Sequence, residues 1–296
     1  MQRAQRAHRA RASVAEMHSV RPVGKGDIDA VLAIHGSAFG LEPGANQAFF
    51  RARFEHLLRT DPEGAFACVA TDGSLSGVAF AMRRDGLWGL SLLAVAPAAQ
   101  GAGVGSALIE HALGYAQDSD ARIILSSEDP RGQQLYARTG HAPRATLDAR
   151  GNVAPRARVE VAGVRAGERA ALALCDRIDR ASRGFSRLPE LEFFARQDGL
   201  RFWIVEDRQG SGYAIGTPER LVTLSATSES VARDLLAHVL SQSGRGEFAV
   251  GFVAETQHWA QEILSGAGLE LVTRGPIWTH GAVGPLANYI PNGALL

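Results

Sequence analysis

The sequence predicts a mixed α/β protein built from two tandem modules, each a mostly antiparallel sheet flanked by helices. Three observations lead to this fold class. Short apolar stretches of strand type alternate with longer stretches of helical periodicity, hairpin signals fall between several strands, and the order of elements begins again after residue 151. At 296 residues, the chain is long enough for two such modules.

The first module is predicted to cover residues 18–150. Before it, residues 1–17 carry several arginines but almost no large apolar side chain, and we expect a disordered basic extension there. Within the module, Asp72-Gly73 between two apolar runs is a hairpin signal. The predicted strands are 19–22, 65–70, 77–83, 87–95 and 121–126. One helix is predicted to begin at residue 27, and three more are predicted at 46–59, 105–117 and 130–138.

The second module is predicted for residues 151–296, after a linker at 151–155 whose glycine, asparagine and proline favour turns. Its elements repeat the order of the first module. The predicted strands are 159–164, 202–206, 212–215, 220–225, 248–253 and 269–273, and the predicted helices are 168–181, 230–240 and 259–264. Apolar residues 294–296 predict that this end of the sequence packs onto the protein.

The composition argues against several classes of function. The 31 basic and 31 acidic side chains cancel, and neither half is a polycation, so we expect no nucleic-acid partner. No run reaches the ~18 apolar residues of a membrane span, and no signal peptide is evident, so we expect a cytoplasmic protein that does not enter a membrane. Cys68 and Cys175 lie in apolar runs of separate halves and are expected to fill core space rather than form a disulfide.

One segment, residues 90–108, carries a pattern with chemical meaning. A strand leads into a turn with glycine at every second position, Gly101, Gly103 and Gly105, and the turn opens a helix. Glycine allows positive φ and close approach of a ligand, and the first N–H groups of a helix are unpaired at its positive end, which suits a pyrophosphate. A Walker loop needs a lysine that is missing here, and G-x-G-x-x-G is not matched. What remains is Q-x-x-G-x-G from Gln100, with a purely structural turn as the alternative.

A second motif follows downstream, within residues 126–141. The residues in register with N-x-x-A-x-x-L-Y-x-x-x-G are Asp129, Gly132, Leu135, Tyr136 and Gly140. With both motifs in this order and spacing, residues 18–150 closely resemble the GNAT superfamily of acyl-coenzyme A-dependent N-acyltransferases. The chain departs from that pattern at three positions, with aspartate for asparagine at 129, glycine for alanine at 132 and histidine for an aromatic residue at 141.

The resemblance implies acetyl-CoA as the cosubstrate, without a metal ion. The pantetheine arm would pair, like an extra strand, with the backbone of Leu93, Ala94 and Val95. The turn that would surround the pyrophosphate consists of Gln100, Gly101, Ala102, Gly103, Val104, Gly105 and Ser106. Further contacts would come from Asp129 and Gly132, at the start of the next helix.

Acyl transfer to an amine needs a group that takes the amine proton and a group that gives a proton to the leaving thiolate. The resemblance makes Tyr136 the acid, since a phenol with a pKa near ~10 stays protonated at neutral pH. Glu128 follows the neighbouring strand and is the candidate base, with a substrate-binding role as the alternative. Asp129 precedes Pro130 and is also a candidate helix cap.

The second module lacks these features. Residues 221–225 take the place of the strand before the glycine turn, and the next helix follows almost at once, without a glycine-rich turn. Glu229 puts negative charge where a pyrophosphate would lie, and Leu264 stands at the position of the tyrosine. We therefore expect a degenerate copy that binds no coenzyme A.

The resulting hypothesis is an N-acetyltransferase that uses acetyl-CoA to acetylate a primary amine of a small molecule or peptide. Direct attack by the amine is expected, because neither cysteine lies in the motifs. One alternative is a tandem acetyltransferase similar to mycothiol synthase, and another is a coenzyme A-binding regulatory or assembly protein without turnover. Both a monomer and a homodimer are compatible with the sequence.

Overall fold

The structure, a computed structural model of the chain, describes residues 18–42, 44, 46–159, 161–167 and 171–296. The extension predicted at 1–17 lies outside the described residues. The fold divides into two compact units: the first holds the described residues up to Arg83 together with Trp88–Ser119, and the second holds Arg84–Leu87 and Asp120–Leu296. This division by packing does not coincide with the boundary predicted at residues 150 and 151, which concerns a repeat in the sequence and stays a prediction.

The first unit is a layer of antiparallel strands with helices packed on it. Its sheet has the order β1-β2-β3-β4. The strands are β1 (His18–Pro22), β2 (Ala65–Ala70), β3 (Leu75–Arg84) and β4 (Leu87–Val95), and the helices are α1 (Ile28–Phe39), α2 (Gln47–Thr60) and α3 (Val104–Gly114). The predicted hairpin is confirmed, with Gly73 at a φ of 85° between β2 and β3.

Helix α3 lies close against this sheet because strand β3 offers it a glycine. A Cβ atom at Gly77 would lie 2.8 Å from Cγ1 of Val104 and 2.9 Å from Cδ1 of Leu108. Near the end of the same helix, the buried Trp88 donates a hydrogen bond from Nε1 to the Ala112 carbonyl at 3.0 Å. Helix α3, whose start carries the predicted site, is thereby held on the sheet at both ends.

The second unit is also a sheet flanked by helices, with the order β5-β12-β6-β11-β10-β9-β8-β7 and β13 paired to β10. Its strands are β5 (Ala121–Leu125), β6 (Ala142–Asn152), β7 (Arg165–Ala166), β8 (Arg201–Asp207), β9 (Gly210–Thr217), β10 (Arg220–Ala226), β11 (Glu247–Ala254), β12 (Glu270–Gly281) and β13 (Tyr289–Ile290). Its helices are α4 (Pro130–Arg138), α5 (Leu172–Arg183), α6 (Leu188–Phe194), α7 (Glu229–Ser241) and α8 (His258–Gly266). The predicted α/β class, mostly antiparallel with flanking helices, is confirmed.

The sequence-based prediction missed helix α6 and strand β13, and two further errors concern other strands. Residues 159–164 were predicted as a strand, but the described residues there form a turn with Gly163 at a φ of 85°, and Val159 is exposed. Strand β6 was not predicted, because its buried face carries a charge: Asp148 is buried and paired with Arg274 at 2.7 Å and with Arg150 at 3.1 Å. An aspartate on the buried face interrupts the apolar alternation from which sequence reasoning predicts a strand.

Strands from the two halves of the sequence alternate at the centre of the second unit. Strand β12 lies between β5 and β6 and is antiparallel to both, while β6 continues to β11. The insertion needs a glycine, because a Cβ at Gly275 would overlap the main-chain carbonyl groups of Ser126 and Ser127. The last long strand of each half thus pairs with a strand of the other half: β6 with β11, and β12 with β5.

The packing around Gly77 recurs in the second unit around Gly212. A Cβ atom at Gly212 would lie 2.7 Å from Cγ1 of Val231 and 2.8 Å from Cδ1 of Leu235, the same pair of residue types at the same helical spacing. The strand order β7-β8-β9-β10 also follows the order of β1 to β4.

Candidate active site

The glycine turn after β4 is closed by its own glutamine. A short 3-10 turn, Pro97–Ala99, follows the strand, and the Gln100 side chain donates a hydrogen bond from Nε2 to the Val95 carbonyl at 3.2 Å. Gly101 and Gly103 then take φ values of 81° and 90°, in the left-handed region that glycine enters without strain. The turn therefore has a defined shape before any ligand binds.

Helix α3 begins at this turn without a side-chain cap. Gly103 is the N-cap, and the first helical hydrogen bond runs from the Ala107 N–H to the Gly103 carbonyl at 3.1 Å. The N–H groups of Val104, Gly105 and Ser106 precede that bond and have no acceptor within the helix. Gly101 is exposed, with no atom within 4 Å of the place where its Cβ would be. The result is an open main-chain cradle at the positive end of a helix.

Strand β4, which leads to the turn, presents two different faces. Ala94 is buried, whereas Leu93 and Val95 on the opposite face are only half-buried. Ser91 shares the face of Leu93, and its hydroxyl is buried without a hydrogen-bond partner in the described part of the chain. Sequence reasoning missed Ser91, although a single hydroxyl within an apolar strand was a visible signal.

Asp129 caps helix α4, as one interpretation of the sequence proposed. Its Oδ1 accepts a hydrogen bond from the Arg131 N–H at 2.9 Å, and Pro130 occupies the first helical position. The Arg131 guanidinium also binds this carboxylate, and that hydrogen bond holds the pKa of Asp129 below its usual value. Whether Asp129 also touches a coenzyme stays a prediction.

Tyr136 lies in the second turn of α4, with 8% of its surface exposed. Its ring rests over Gly132, where an added Cβ would sit 3.7 Å from ring atom Cε2. The hydroxyl makes no hydrogen bond to any residue that the structure describes. Burial, together with the negative charge of Asp129, raises the pKa of Tyr136 well above the usual value for a phenol. The side chain is thus a protonated donor at neutral pH with its hydrogen available.

The neighbour of Tyr136 comes from the other half of the sequence. Trp278 on β12 meets the tyrosine edge to face, with 6.2 Å between ring centroids. Its indole Nε1 donates a hydrogen bond to the Ser126 hydroxyl at 3.2 Å, and that hydroxyl donates to the Pro276 carbonyl at 3.0 Å. Sequence reasoning did not place this tryptophan at the site, because only the position of β12 brings it beside α4.

Glu128, the candidate base, lies in the loop between β5 and α4. Its side chain is exposed and makes no hydrogen bond or ion pair with another described residue. The predicted site residues thus fall into two sets. Those between 93 and 106 lie in the first unit, and Glu128, Asp129, Gly132 and Tyr136 lie together in the second. A role for Glu128 as base stays a prediction.

The corresponding turn in the second half is short and capped. Eight positions separate Ala96 from Val104, but only four separate Thr227 from Val231, although Ala96 and Thr227 make matching main-chain hydrogen bonds to the preceding strands. At the start of α7, the Ser228 hydroxyl accepts a hydrogen bond from the Val231 N–H at 3.4 Å, and Glu229 follows in the first turn. This helix start has its own acceptor and a negative charge.

The end of β10 that leads to this turn is covered by another strand of the same chain. Strand β13 pairs with β10, with Ile290 opposite Leu224. The Thr223 hydroxyl donates to the Ile290 carbonyl at 2.9 Å, and Gln257 donates from Nε2 to the Tyr289 carbonyl at 2.8 Å. This place in the second half is thus filled by protein.

The described residues include neither a cluster of metal ligands nor a membrane-spanning helix. In those parts of the chain, no group of three or more His, Cys, Asp or Glu side chains is placed to hold a metal ion. Within the same residues, no helix combines the length and the apolar character that crossing a bilayer requires.

Comparison with known proteins gives one family match and several structures of similar fold. Residues 29–141 match the Acetyltransferase (GNAT) family. The structure of a proposed acetyltransferase from Pyrococcus horikoshii is similar over 94% of this chain and 95% of its own, with a TM-score of 0.75 and 20% identity. At this identity the likeness shows the fold, and it extends through both halves of the sequence.

Two further structures agree with that fold, and both are GCN5-related N-acetyltransferases. The protein from Kribbella flavida is 18% identical, with a TM-score of 0.60, over 89% of this chain and 71% of its own. The protein from Sphaerobacter thermophilus is 17% identical, with a TM-score of 0.60, over 90% of this chain and 96% of its own. No curated protein sequence matches the chain.

Proposed function

We propose that the protein transfers an acetyl group from acetyl-CoA to a primary amine of a small molecule or peptide, starting from the match of residues 29–141 to the Acetyltransferase (GNAT) family. The observation that carries the proposal is the uncapped start of α3. Three consecutive N–H groups there lack a helical acceptor, and the preceding glycine turn is open to solution. A pyrophosphate fits such a cradle, because it brings negative charge and several hydrogen-bond acceptors.

The residues that would hold acetyl-CoA follow from this cradle. Main-chain N–H groups of Gly101 and of residues 103–106 would bind the pyrophosphate, with Gln100 keeping the turn closed through its bond to Val95. The half-buried face of Leu93 and Val95 would line the pantetheine arm. Acetyl-CoA supplies the acetyl group on a thioester.

Tyr136 would supply the proton that the transfer consumes. When the amine nitrogen bonds to the acetyl carbon, the carbon–sulfur bond breaks and the departing thiolate needs a proton. The phenol is protonated at neutral pH, and its hydroxyl makes no hydrogen bond to another described residue. The amine proton would leave through Glu128 or through water, and the exposure of Glu128 is compatible with both routes.

We also propose that the second half is a degenerate copy of the same module and that one chain takes one acetyl-CoA. The matching packing at Gly77 and Gly212 supports a duplication. The shorter turn, the Ser228 cap and the strand β13 on the edge of β10 support the loss of the coenzyme site from the second copy. The wide coverage of the Pyrococcus horikoshii structure is consistent with this two-copy plan.

The coenzyme site is tested by placing a charge at the start of α3. Ser106→Glu adds a carboxylate in the first turn, which favours the folded helix but repels a pyrophosphate. Calorimetry should show one acetyl-CoA per wild-type chain and binding at least roughly tenfold weaker for the variant. Gly114→Glu, at the opposite end of the same helix and in open space, is the control and should bind like wild type. A wild-type protein that binds no acetyl-CoA contradicts the proposal.

Turnover separates an enzyme from a coenzyme-binding protein. Thiol release from acetyl-CoA, followed with a panel of primary amines, should be slowed by Tyr136→Phe by roughly 10²-fold or more while acetyl-CoA affinity is kept. A protein that binds acetyl-CoA but acetylates none of the amines, before or after the substitution, would instead be a binding protein.

A further inference from the structure

On its own helix, the Tyr136 ring faces a position without a side chain. One turn earlier, α4 offers Gly132, which has no side chain to hold the ring in place. An aromatic neighbour of the ring is Trp278, which follows Tyr136 by 142 residues and belongs to β12. The orientation of the phenol therefore depends on a strand from the other half of the sequence.

Trp278 is itself held firmly. It is 5% exposed, it lies opposite Ile124 on β5 and opposite Pro143 on β6, and its Nε1 donates to the Ser126 hydroxyl. The Gly275 bulge lets β12 run close to the main chain at Ser126. A ring anchored on both sides by paired strands and by a hydrogen bond has little freedom to turn.

We propose that Trp278 is the positioning residue of Tyr136: the indole holds the phenol in the orientation from which it donates its proton. The proposal rests on the proposed function, since it assumes that Tyr136 is the acid. Without the indole, the ring would gain rotamers, because Gly132 beneath it has no side chain to hold it, and fewer molecules would keep the donor in place. The same loss would admit water to the phenol, whose protonation depends on burial and on the charge of Asp129.

The first experiment compares two substitutions at this position with a matched control. Trp278→Leu removes the ring and should lower kcat by roughly tenfold or more with little change in KM for acetyl-CoA, whereas Trp278→Phe keeps an aromatic edge and should recover most of the rate. Trp203→Leu is the control, because Trp203 is 6% exposed in the same unit but packs on His238. It removes an equally buried indole and should leave kcat unchanged. An equal loss of kcat in both leucine variants would overturn the proposal.

A double-mutant cycle separates positioning from general stability. If Trp278 acts through Tyr136, then Trp278→Leu should have no further effect on kcat in a Tyr136→Phe background. Effects that multiply independently would contradict the proposal while leaving the acid role of Tyr136 intact. An unchanged rate in Tyr136→Phe alone would instead contradict the proposed function, so the two failures are distinguishable.

A readout without turnover completes the test. Near-ultraviolet absorbance follows phenol ionisation, and the difference between wild type and Tyr136→Phe assigns the signal of this tyrosine. Trp278→Leu should bring its ionisation down toward the usual pH near ~10, since burial is what raises the pKa. Trp203→Leu should leave it in place. Ionisation of Tyr136 at the same pH in wild type and Trp278→Leu would count against the indole as its support.

Discussion

Two buried histidines make the protein sensitive to acid. Burial lowers the pKa of His141 to about 4, with a smaller contribution from the charges of His280 and Arg122. Burial likewise lowers the pKa of His35 to about 4, aided by the charge of Arg53. Both rings are thus neutral in the folded protein at pH values where an unfolded chain would protonate them.

The sign of the effect follows from these values. Between about 6.5 and about 4 the unfolded chain binds more protons than the folded one, so the free energy of unfolding falls as the pH falls through this window, by at most about 3 kcal/mol per histidine. Denaturant titrations of His141→Gln should show a weaker loss of stability between about pH 7 and about pH 5 than wild type. His258→Gln, at an exposed position, is the control and should keep the wild-type slope.

Sequence reasoning identified some residues of the candidate site and missed others. Asp129 was recognisable as a cap because the signal is local, an acidic residue directly before proline. Tyr136 was recognisable from its motif. Trp278 was not, because no local pattern states which strand will lie beside α4.

At the scale of elements, glycines set how closely helices approach the sheet. Gly77 faces α3 and Gly212 faces α7, each at a position where a Cβ would come within 3 Å of a valine and a leucine of the helix. If a methyl group is added at either glycine, the valine and leucine side chains or the whole helix must move to make room for it.

Replacement of either glycine should therefore be costly. Gly77→Ala and Gly212→Ala are each expected to lower the free energy of unfolding by about 1–3 kcal/mol, measured by urea titration. Gly36→Ala is the matched control, since this glycine lies in α1 with nothing within 4 Å of the added atom and should be neutral or stabilising. Tolerance of alanine at both sheet glycines would contradict the close packing described here.

Local signals predicted several elements closely, and long-range pairing escaped prediction. Strand β2 and helix α4 were predicted with the bounds observed, Ala65–Ala70 and Pro130–Arg138, because apolar periodicity and a cap define them. Strand β12 was predicted only as 269–273 and extends to Gly281. Its second part is held by pairing with β5, and nothing in the sequence of β12 itself states that pairing.

At the scale of the whole molecule, the segment after β12 is built into the second unit. The prediction that residues 294–296 pack onto the protein is confirmed for Leu295 and Leu296, which are buried. The Gln257 side chain bonds this segment to the rest of the second unit. Its Nε2 donates to the carbonyls of Leu286, Ala287 and Tyr289 at 2.8 to 3.2 Å, and its Oε1 accepts from the Ala254 N–H at 2.9 Å.

Removal of this one amide should loosen the segment. Gln257→Ala removes the Nε2 donor from the three carbonyls, of which Ala287 keeps a bond from Trp259 Nε1, and we expect it to lower the free energy of unfolding by about 2–3 kcal/mol. Hydrogen exchange should rise first in residues 286–290, which lose their bonds. Gln134→Ala, at an exposed position on α4, is the control and should change neither quantity. Equal exchange in wild type and Gln257→Ala would refute the role of this amide.

The exchange of strands at the centre of the second unit also has a consequence during protein synthesis. Between the end of β5 at Leu125 and the start of β12 at Glu270 lie 144 residues that must be translated before the two strands can pair. At roughly 5–20 residues per second, the ribosome needs about 7 to 30 seconds for that stretch. During this time β5 and then β6 leave the ribosome while β12, which lies between them in the folded sheet, has not yet been made. The nascent chain therefore carries an unfinished sheet, which a ribosome-associated chaperone would be expected to protect.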